Sequence, residues 1–280
     1  MTDQTDLHLH SNCSDGVLPP SQLVALVAQA GIKRFALTDH DTTAGLDEAA
    51  TAAGLLGLTA ISGIELSAAW HGRTIHVVGL NIDPCAPLLC ACIQQLQRLR
   101  QQRILEITRR LDRLGAPGQA VQMQLSALNV PTRTHVARAL VELGAITSVA
   151  SAFDRWLGDG KSAYVAAEWP DLAQIVAGII SAGGTAVIAH PLRYRLSAGQ
   201  RRQLLAEFKT AGGTGLEIVN GNHAPHQIET ALGLALRAGL DGSVGSDCHD
   251  PAIPWHRLGR LAKLPASVTP VWRRWSQELA

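Results

Sequence analysis

Short apolar runs alternate with helical stretches in two separate blocks of this 280-residue chain, and that alternation does most to narrow its fold. In the first block residues 6–10, 34–38, 58–62 and 74–80 read as strands, with helices over 21–30 and 44–56. Ser21 is placed to cap the first helix and Gly31 to stop it. In the second block helices over 171–182, 198–211 and 225–238 alternate with strands over 185–189, 215–219 and 242–245. Such alternation predicts a mostly parallel sheet or barrel. The stretch between the blocks is different. Leu89, Ile93, Leu96, Ile104, Ile107, Leu111 and Leu114 follow a helical period across 88–114. Residues 117–131 read as irregular, and 132–143 and 148–157 as two shorter helices. The expectation is an α/β barrel built from 1–84 and 163–280, interrupted by a helical cap insertion over 85–162.

Composition excludes several classes. With 46% hydrophobic and 17% charged residues the chain fills a core, which rules out disorder. A net charge of +1 argues against grip on long duplex nucleic acid or a membrane surface. The charge is uneven, however. Residues 85–162 hold 10 basic and 5 acidic side chains, against 14 and 18 in the remainder. A basic cap on an acidic core suits a site that joins metal-binding carboxylates to an anionic substrate. Most arginines between 98 and 113 are read simply as the solvated face of a long helix. No export leader or membrane span is evident, and the five cysteines (Cys13, Cys85, Cys90, Cys92, Cys248) lack zinc-knuckle spacing. A reduced, cytoplasmic protein is expected.

The histidines gather where predicted strands end. His8 and His10 close the first strand, with Asp15 in the adjoining loop. Thr38-Asp39-His40-Asp41 closes the second, and Glu65 lies just past the third. His76 lies in the fourth strand, His190 ends the run TAVIA, and Ser246-Asp247-Cys248-His249 follows the last strand. C-terminal strand ends of a parallel barrel converge on one face, and residues two apart on a strand point the same way. So many uncompensated polar groups would each cost kcal/mol if buried, and metal ions supply the compensation. Imidazole and carboxylate ligands without thiolate suit Mn, Fe or Zn. Nine such groups exceed one ion's needs, so two or three ions sharing carboxylates are expected.

This ordered set resembles the PHP (polymerase and histidinol phosphatase) family of metal-dependent phosphoesterases. The resemblance rests on His8-Leu9-His10, Ser14-Asp15-Gly16, Thr38-Asp39-His40-Asp41, Glu65, His76, His190-Pro191 and Ser246-Asp247-Cys248-His249. It implies a distorted seven-stranded, TIM-like β/α barrel with a trinuclear site. The implied ligands are His8, His10, Asp15, His40, Glu65, His76, His190, Asp247 and His249, with Glu65 bridging. The stretches 131–138, His190-Pro191-Leu192-Arg193-Tyr194 and 217–223 are similar to the nucleotide-processing branch. That branch removes the 3′-phosphate of nucleoside 3′,5′-bisphosphates or trims short RNA from its 5′ end. By the same resemblance Arg133, His135, Arg193 and His223 become substrate-binding candidates, although capping would equally explain Arg133 and His135.

The expected activity is phosphomonoester hydrolysis, such as conversion of 3′-phosphoadenosine 5′-phosphate to AMP and phosphate. A hydroxide shared by two ions, formed from water whose pKa the metals draw down toward neutrality, would attack phosphorus in line without a phosphoenzyme. Alternatives are 5′-to-3′ exoribonuclease action on short RNA, a histidinol-phosphate-type phosphatase, and a non-catalytic nucleotide-binding module. The run Gly158-Asp159-Gly160-Lys161-Ser162 is rejected as a phosphate loop, because Arg155 stands where the first glycine belongs. Cys13 and Cys248 are assigned to packing, as are Trp255, Trp272 and Trp275, with Trp255 a candidate for the rim of the site.

Overall fold

The structure is a computed structural model that describes residues 4–221, 223–253 and 258–275; Asn222 and Trp255 lie outside these. The chain divides into two compact units, Met1–Ile93 with Pro170–Ala280, and Gln94–Trp169.

The first unit is a seven-stranded α/β barrel. Its strands are β1 (Gln4–Leu9), β2 (Ile32–Leu37), β3 (Thr59–Trp70), β4 (Arg73–Leu80), β5 (Thr185–Ile188), β6 (Gly215–Asn220) and β7 (Asp241–Gly245), in that spatial order. A bridge between Leu9 and Cys248 sets β1 beside β7, with Asp247 N–H donating to His8 O at 2.8 Å and His10 N–H to Cys248 O at 3.0 Å. Helices α1 (Pro20–Gln29) and α2 (Leu46–Leu56) follow β1 and β2. After β4 come α3 (Pro87–Arg113), α4 (Gly118–Leu125), α5 (Arg133–Glu142), α6 (Val149–Ala152) and α7 (Leu172–Ser181), and then α8 (Ala198–Thr210) and α9 (Pro225–Ala238) separate the last three strands.

Two pairings depart from the parallel expectation: β3 with β4 and β4 with β5 are antiparallel. The cause is a two-residue turn at His71-Gly72, where both φ angles are positive (46° and 74°), the geometry that matches the twist of a hairpin. Strand β3 also departs from expectation: it runs to Trp70 instead of ending at Ser62 and so carries Glu65 inside the strand. Gly63 is no break. It lets β3 lie close to β2, where a Cβ would come 2.8 Å from Leu37 O.

Three helical stretches also differ from expectation. Helix α1 begins at Pro20, preceded by Pro19, with no side-chain cap; the Ser21 N–H donates instead to Glu48 at 2.9 Å. The stretch 117–131 contains α4, whose Val121 and Leu125, four apart, bury into the core of the second unit. The predicted helix over 148–157 is the short α6 followed by a wider π-type turn at Phe153–Leu157.

Packing explains how β1 presents its histidines. The β1–β2 register shifts between Asp6 and Leu9. Leu7 packs with Ala36, Ile61, Val187 and Trp275, whereas Leu9 packs with Val24, Phe35 and Leu37. The irregularity changes the face served by the leucines, and irregular pairing of this kind commonly re-aims side chains beside active sites. The second unit has its own core of Ile104, Ile107, Leu111, Val136, Leu140 and Leu157. No described helix is long and apolar enough to cross a membrane.

Candidate metal centre

Glu65 is fully buried on β3 and surrounded by imidazoles. Its Oε2 lies 3.3 Å from His8 Nε2, 3.3 Å from His10 Nε2 and 2.9 Å from His40 Nδ1. Its Oε1 lies 3.1 Å from both His76 Nδ1 and His190 Nε2. Asp247 Oδ1 is 3.1 Å from His10 Nε2 and 3.4 Å from His8 Nε2, and Asp15 Oδ1 is 3.2 Å from His249 Nε2. Three overlapping groups result, each offering ligand atoms within 4.8 Å of one another: His10, Asp15, His40 and His249; His8, His10, Glu65 and Asp247; and His40, Glu65 and His76. His10, His40 and Glu65 each belong to two of them. His190 is in none of the three and reaches the centre through Glu65 Oε1.

The local chain is shaped to hold this arrangement. Asp39 accepts Ser11 N–H at 2.8 Å and the hydroxyls of Ser11 and Ser14 at 2.6 Å each, which fixes the loop that carries Asp15. Gly16 is required in that loop, because a Cβ there would overlap the His10 carbonyl. Asp41 accepts Ser67 N–H at 2.9 Å. Two non-glycine residues of the centre, His190 (30°) and Asp247 (55°), and Asp41 (48°) next to His40 have positive φ. Such backbone costs about 1–3 kcal/mol per residue and persists only where its surroundings enforce it.

The chemistry of the donor set fits divalent ions. Among the described residues, seven of the eleven buried side-chain polar atoms that make no hydrogen bond belong here: His8 Nε2, both nitrogens of His10, Asp15 Oδ1, His40 Nδ1, Glu65 Oε2 and His190 Nδ1. Orphaned polar atoms are rare in folded proteins, and their concentration at one point marks a place for a ligand that satisfies them together. Burial opposes every charge at this centre. Even so, the surrounding imidazoles hold Glu65, Asp15 and Asp247 well below the usual carboxylate range. Against the same burial, the carboxylates lift His8 well above its ordinary value and His10 to about 9. At His40 burial wins and the pKa falls to about 4, and His190 is lowered for the same reason. Protons therefore stand in part where cations would, and metal binding would release them.

The other candidates divide between the units. Arg193 Nη1 pairs with Asp247 Oδ2 and its Nη2 donates to Asn220 Oδ1 at 2.8 Å, with half the side chain exposed. His223 N–H donates to Asn220 O at 3.0 Å, and its Nδ1 lies 3.3 Å from Asn220 N, which ties it into the turn after β6. Arg133 and His135 belong to the second unit. There Arg133 Nη1 donates to Leu157 O and to Asp159, both at 3.1 Å, and His135 Nδ1 accepts Thr132 N–H at 3.1 Å in a reciprocal helix cap. Burial pushes the Cys248 thiol up to about 12, in keeping with a packing role.

The sequence reading gave no role to Asp39, Asp41, Glu217, Asn220 or Tyr194. Tyr194 OH accepts His76 N–H at 2.8 Å, and Glu217 touches both His8 and His190. A carboxylate in the middle of the otherwise apolar run GLEIV was the available signal for Glu217.

Residues 6–156 match the family model described as the PHP domain. The chain belongs to the PHP family. A 5′-3′ exoribonuclease of Haemophilus influenzae is 43% identical over 274 residues, covering 98% of this chain and all of that protein. A 3′,5′-nucleoside bisphosphate phosphatase of Chromobacterium violaceum is 37% identical over 270 residues, covering 96% and 95%. A solved amidohydrolase structure from Chromobacterium violaceum, with bound sulfate and no metal, superposes with a TM-score of 0.91 at 36% identity over 98% of this chain and 96% of that one. As a PHP phosphoesterase the chain is a hydrolase of phosphoric esters, and its barrel carries His, Asp and Glu groups able to hold metal ions.

Proposed function

We propose that this PHP protein hydrolyses the 3′-phosphate of nucleoside 3′,5′-bisphosphates, releasing a nucleoside 5′-phosphate and inorganic phosphate. The observation that carries the reading is the set of three overlapping ligand groups, linked through His10, His40 and Glu65, beside a half-exposed Arg193. The ligands are His8, His10, Asp15, His40, Glu65, His76, His190, Asp247 and His249, and they hold two or three divalent ions. An imidazole and carboxylate set without thiolate suits Mn2+, Fe2+ or Zn2+, and Mn2+ is the ion of this proposal. When bound, the ions supply Lewis-acid polarisation of the phosphoryl oxygens and water of lowered pKa.

The remaining chemistry belongs to the chain. Arg193 presents guanidinium donors to a phosphate oxygen while its Nη2 stays anchored on Asn220. Glu65 keeps five imidazoles aimed at one point. No side chain serves as nucleophile: the Ser11 and Ser14 hydroxyls are committed to Asp39, and the Cys248 thiol stays protonated. Arg133, His135 and His223 complete the substrate-binding set in this proposal. Five cysteines, all free, support a reducing, cytoplasmic location.

A second reading is 5′-to-3′ trimming of short RNA, favoured by the exoribonuclease relative at 43% identity. The two readings describe one reaction with the same leaving group, the nucleotide's 3′-oxygen, and differ in whether the phosphorus attacked carries a further nucleotide. Turnover of 3′-phosphoadenosine 5′-phosphate, a 5′-phosphorylated trinucleotide and histidinol phosphate by the Mn2+-loaded protein separates them. Transfer of labelled oxygen from water into the released phosphate, without a burst, is expected. A trapped phosphoenzyme, or preference for histidinol phosphate, overturns the proposal.

A further inference from the structure

Glu217 lies on β6, 2% exposed, in a strand whose six residues are all buried. Its Oε1 is 3.0 Å from His8 Nδ1. Its Oε2 accepts the backbone N–H of His190 at 2.6 Å and Asn220 Nδ2 at 2.9 Å. Asn220 in turn holds Arg193 through Oδ1 at 2.8 Å. One carboxylate therefore reaches two members of the ligand set and, through a single amide, the guanidinium beside them. Gly245 on β7 leaves room for this contact: a Cβ there would overlap His8 Cβ and come 2.6 Å from Glu217 Oε1.

We propose that Glu217 is a positioning residue that sets the orientation and tautomer of His8, pins the backbone of His190 and braces Arg193, so that ligand set and phosphate-binding arginine are held as one piece. The inference rests on the metal-centre reading above. An imidazole that donates Nδ1–H to a carboxylate leaves Nε2 as its lone-pair donor, and His8 Nε2 is the atom that faces Glu65 and Asp247 with no hydrogen bond of its own. The His190 contact has a separate purpose. At φ 30° a non-glycine backbone resists its own conformation, and a 2.6 Å hydrogen bond from its N–H to a buried carboxylate opposes relaxation. The Asn220 contact completes the relay. Its amide donates to Glu217 and accepts from Arg193, so it fits only one way round.

Glu217→Gln tests this with almost no change of shape. A glutamine has one acceptor oxygen where the carboxylate has two. If that oxygen serves His190 and Asn220, an NH2 group faces His8 Nδ1, and the proton moves to Nε2 and blocks it as a ligand. Mn2+ is titrated into the full chain and followed by the paramagnetic resonance of free Mn2+, with the melting temperature of the chelated protein as the folding control. Glu217→Gln should weaken Mn2+ affinity about 10- to 100-fold at one ion, the range typical of groups that orient metal ligands. Asp6→Asn is the matched control, because Asp6 is equally buried and bonds the His8 backbone N–H instead of its ring. It should leave Mn2+ affinity unchanged. Asn220→Ala should raise KM for the nucleotide several-fold at unchanged Mn2+ affinity. Wild-type Mn2+ affinity in a folded Glu217→Gln protein overturns the inference and leaves the metal centre standing. Equal weakening by Asp6→Asn overturns it as well, by reducing Glu217 to part of the strand's packing. A wild type that takes up no Mn2+ removes the proposed function together with this inference.

Discussion

In the second unit the Arg103 guanidinium lies 5.7 Å from the Trp169 ring centroid and 5.8 Å from that of Tyr164, and its Nε donates to Val165 O at 2.9 Å. Burial, with Arg133 nearby, draws its pKa down to about 10, so it remains charged at neutral pH. In the first unit charges of both signs are buried side by side around Glu65, yet many of the polar atoms there make no hydrogen bond. The protein compensates the first burial with its own rings and carbonyls. In the second, imidazoles and carboxylates offset one another's charge but leave a concentration of atoms without hydrogen bonds. Compensation from within the chain marks a charge that belongs to the architecture, whereas a concentration of unsatisfied atoms marks one that waits for a ligand.

The strongest way to break this contrast is at Glu65. If the centre is built for cations, Mn2+ at about 100 times its dissociation constant should stabilise the folded protein by about 2.7 kcal/mol, and a chelator should reverse the gain. Glu65→Gln should abolish that gain. Phosphatase turnover should fall by roughly 10³-fold or more, at or beyond the loss expected for a single electrostatic donor. Calorimetry with and without Mn2+, together with a phosphate-release assay, provides both readouts. A Glu65→Gln protein that melts and turns over like its parent would place the centre in the same class as Arg103.

Asp6 sharpens the contrast inside the first unit. Its Oδ1 accepts Ser246 N–H at 2.9 Å, its Oδ2 has no hydrogen-bond partner among the described residues, and burial raises its pKa from 3.8 to about 6. The fold prefers the neutral carboxyl. Its contribution is therefore fully present below pH 4 and is lost as pH rises toward and through 6, amounting to about 3 kcal/mol in total. Asp6→Asn carries no such titration. Urea unfolding of both proteins without metal, between pH 4 and 7, should shift in favour of the variant by about that amount. A flat difference would mean that the buried carboxyl is compensated after all.

Arg103→Ala gives the converse test in the second unit. Loss of one charge-assisted hydrogen bond and two ring contacts should cost about 2–3 kcal/mol in urea unfolding, with Mn2+ affinity unchanged. Little loss of stability, or altered Mn2+ uptake, would remove Arg103 from the architectural class.

Much of the centre was legible in the sequence because the residue types themselves are improbable where they occur. His8, His10, His40 and His190 sit at the ends of apolar runs, where a core would place leucine or valine, and no packing argument accounts for them. The antiparallel insertion was not legible. A His71-Gly72 turn lacks the Asn-Gly signature, and Gly63 resembles a strand end until the close approach of β2 is known. Glu217 was hidden for another reason. A single acidic residue in an apolar strand has no periodic partner, and its meaning depends on His8, 209 positions away. Asp39 and Asp41 were visible beside His40, yet only the serines they hold reveal that they shape the loops instead of facing the centre.

His135 gives the smallest expected effect and the finest test of the contrast, because it is a histidine of the second unit whose ring is hydrogen-bonded within its own helix cap. Its Nδ1 accepts Thr132 N–H at 3.1 Å while its own backbone N–H donates to Thr132 Oγ1 at 3.3 Å, so the ring closes a cap at the head of α5. A cap of this kind is worth about 0.5–2 kcal/mol. His135→Ala should therefore lower stability by about 1 kcal/mol or less and leave Mn2+ affinity untouched. His135→Gln, which keeps a side chain able to accept the Thr132 N–H, should recover most of the loss. The substrate-binding role proposed for His135 predicts something more, namely a KM for 3′-phosphoadenosine 5′-phosphate that rises in both variants whatever their stability. If KM instead follows stability and recovers with glutamine, His135 is a capping residue alone, and binding within the proposed set rests on Arg133, Arg193 and His223.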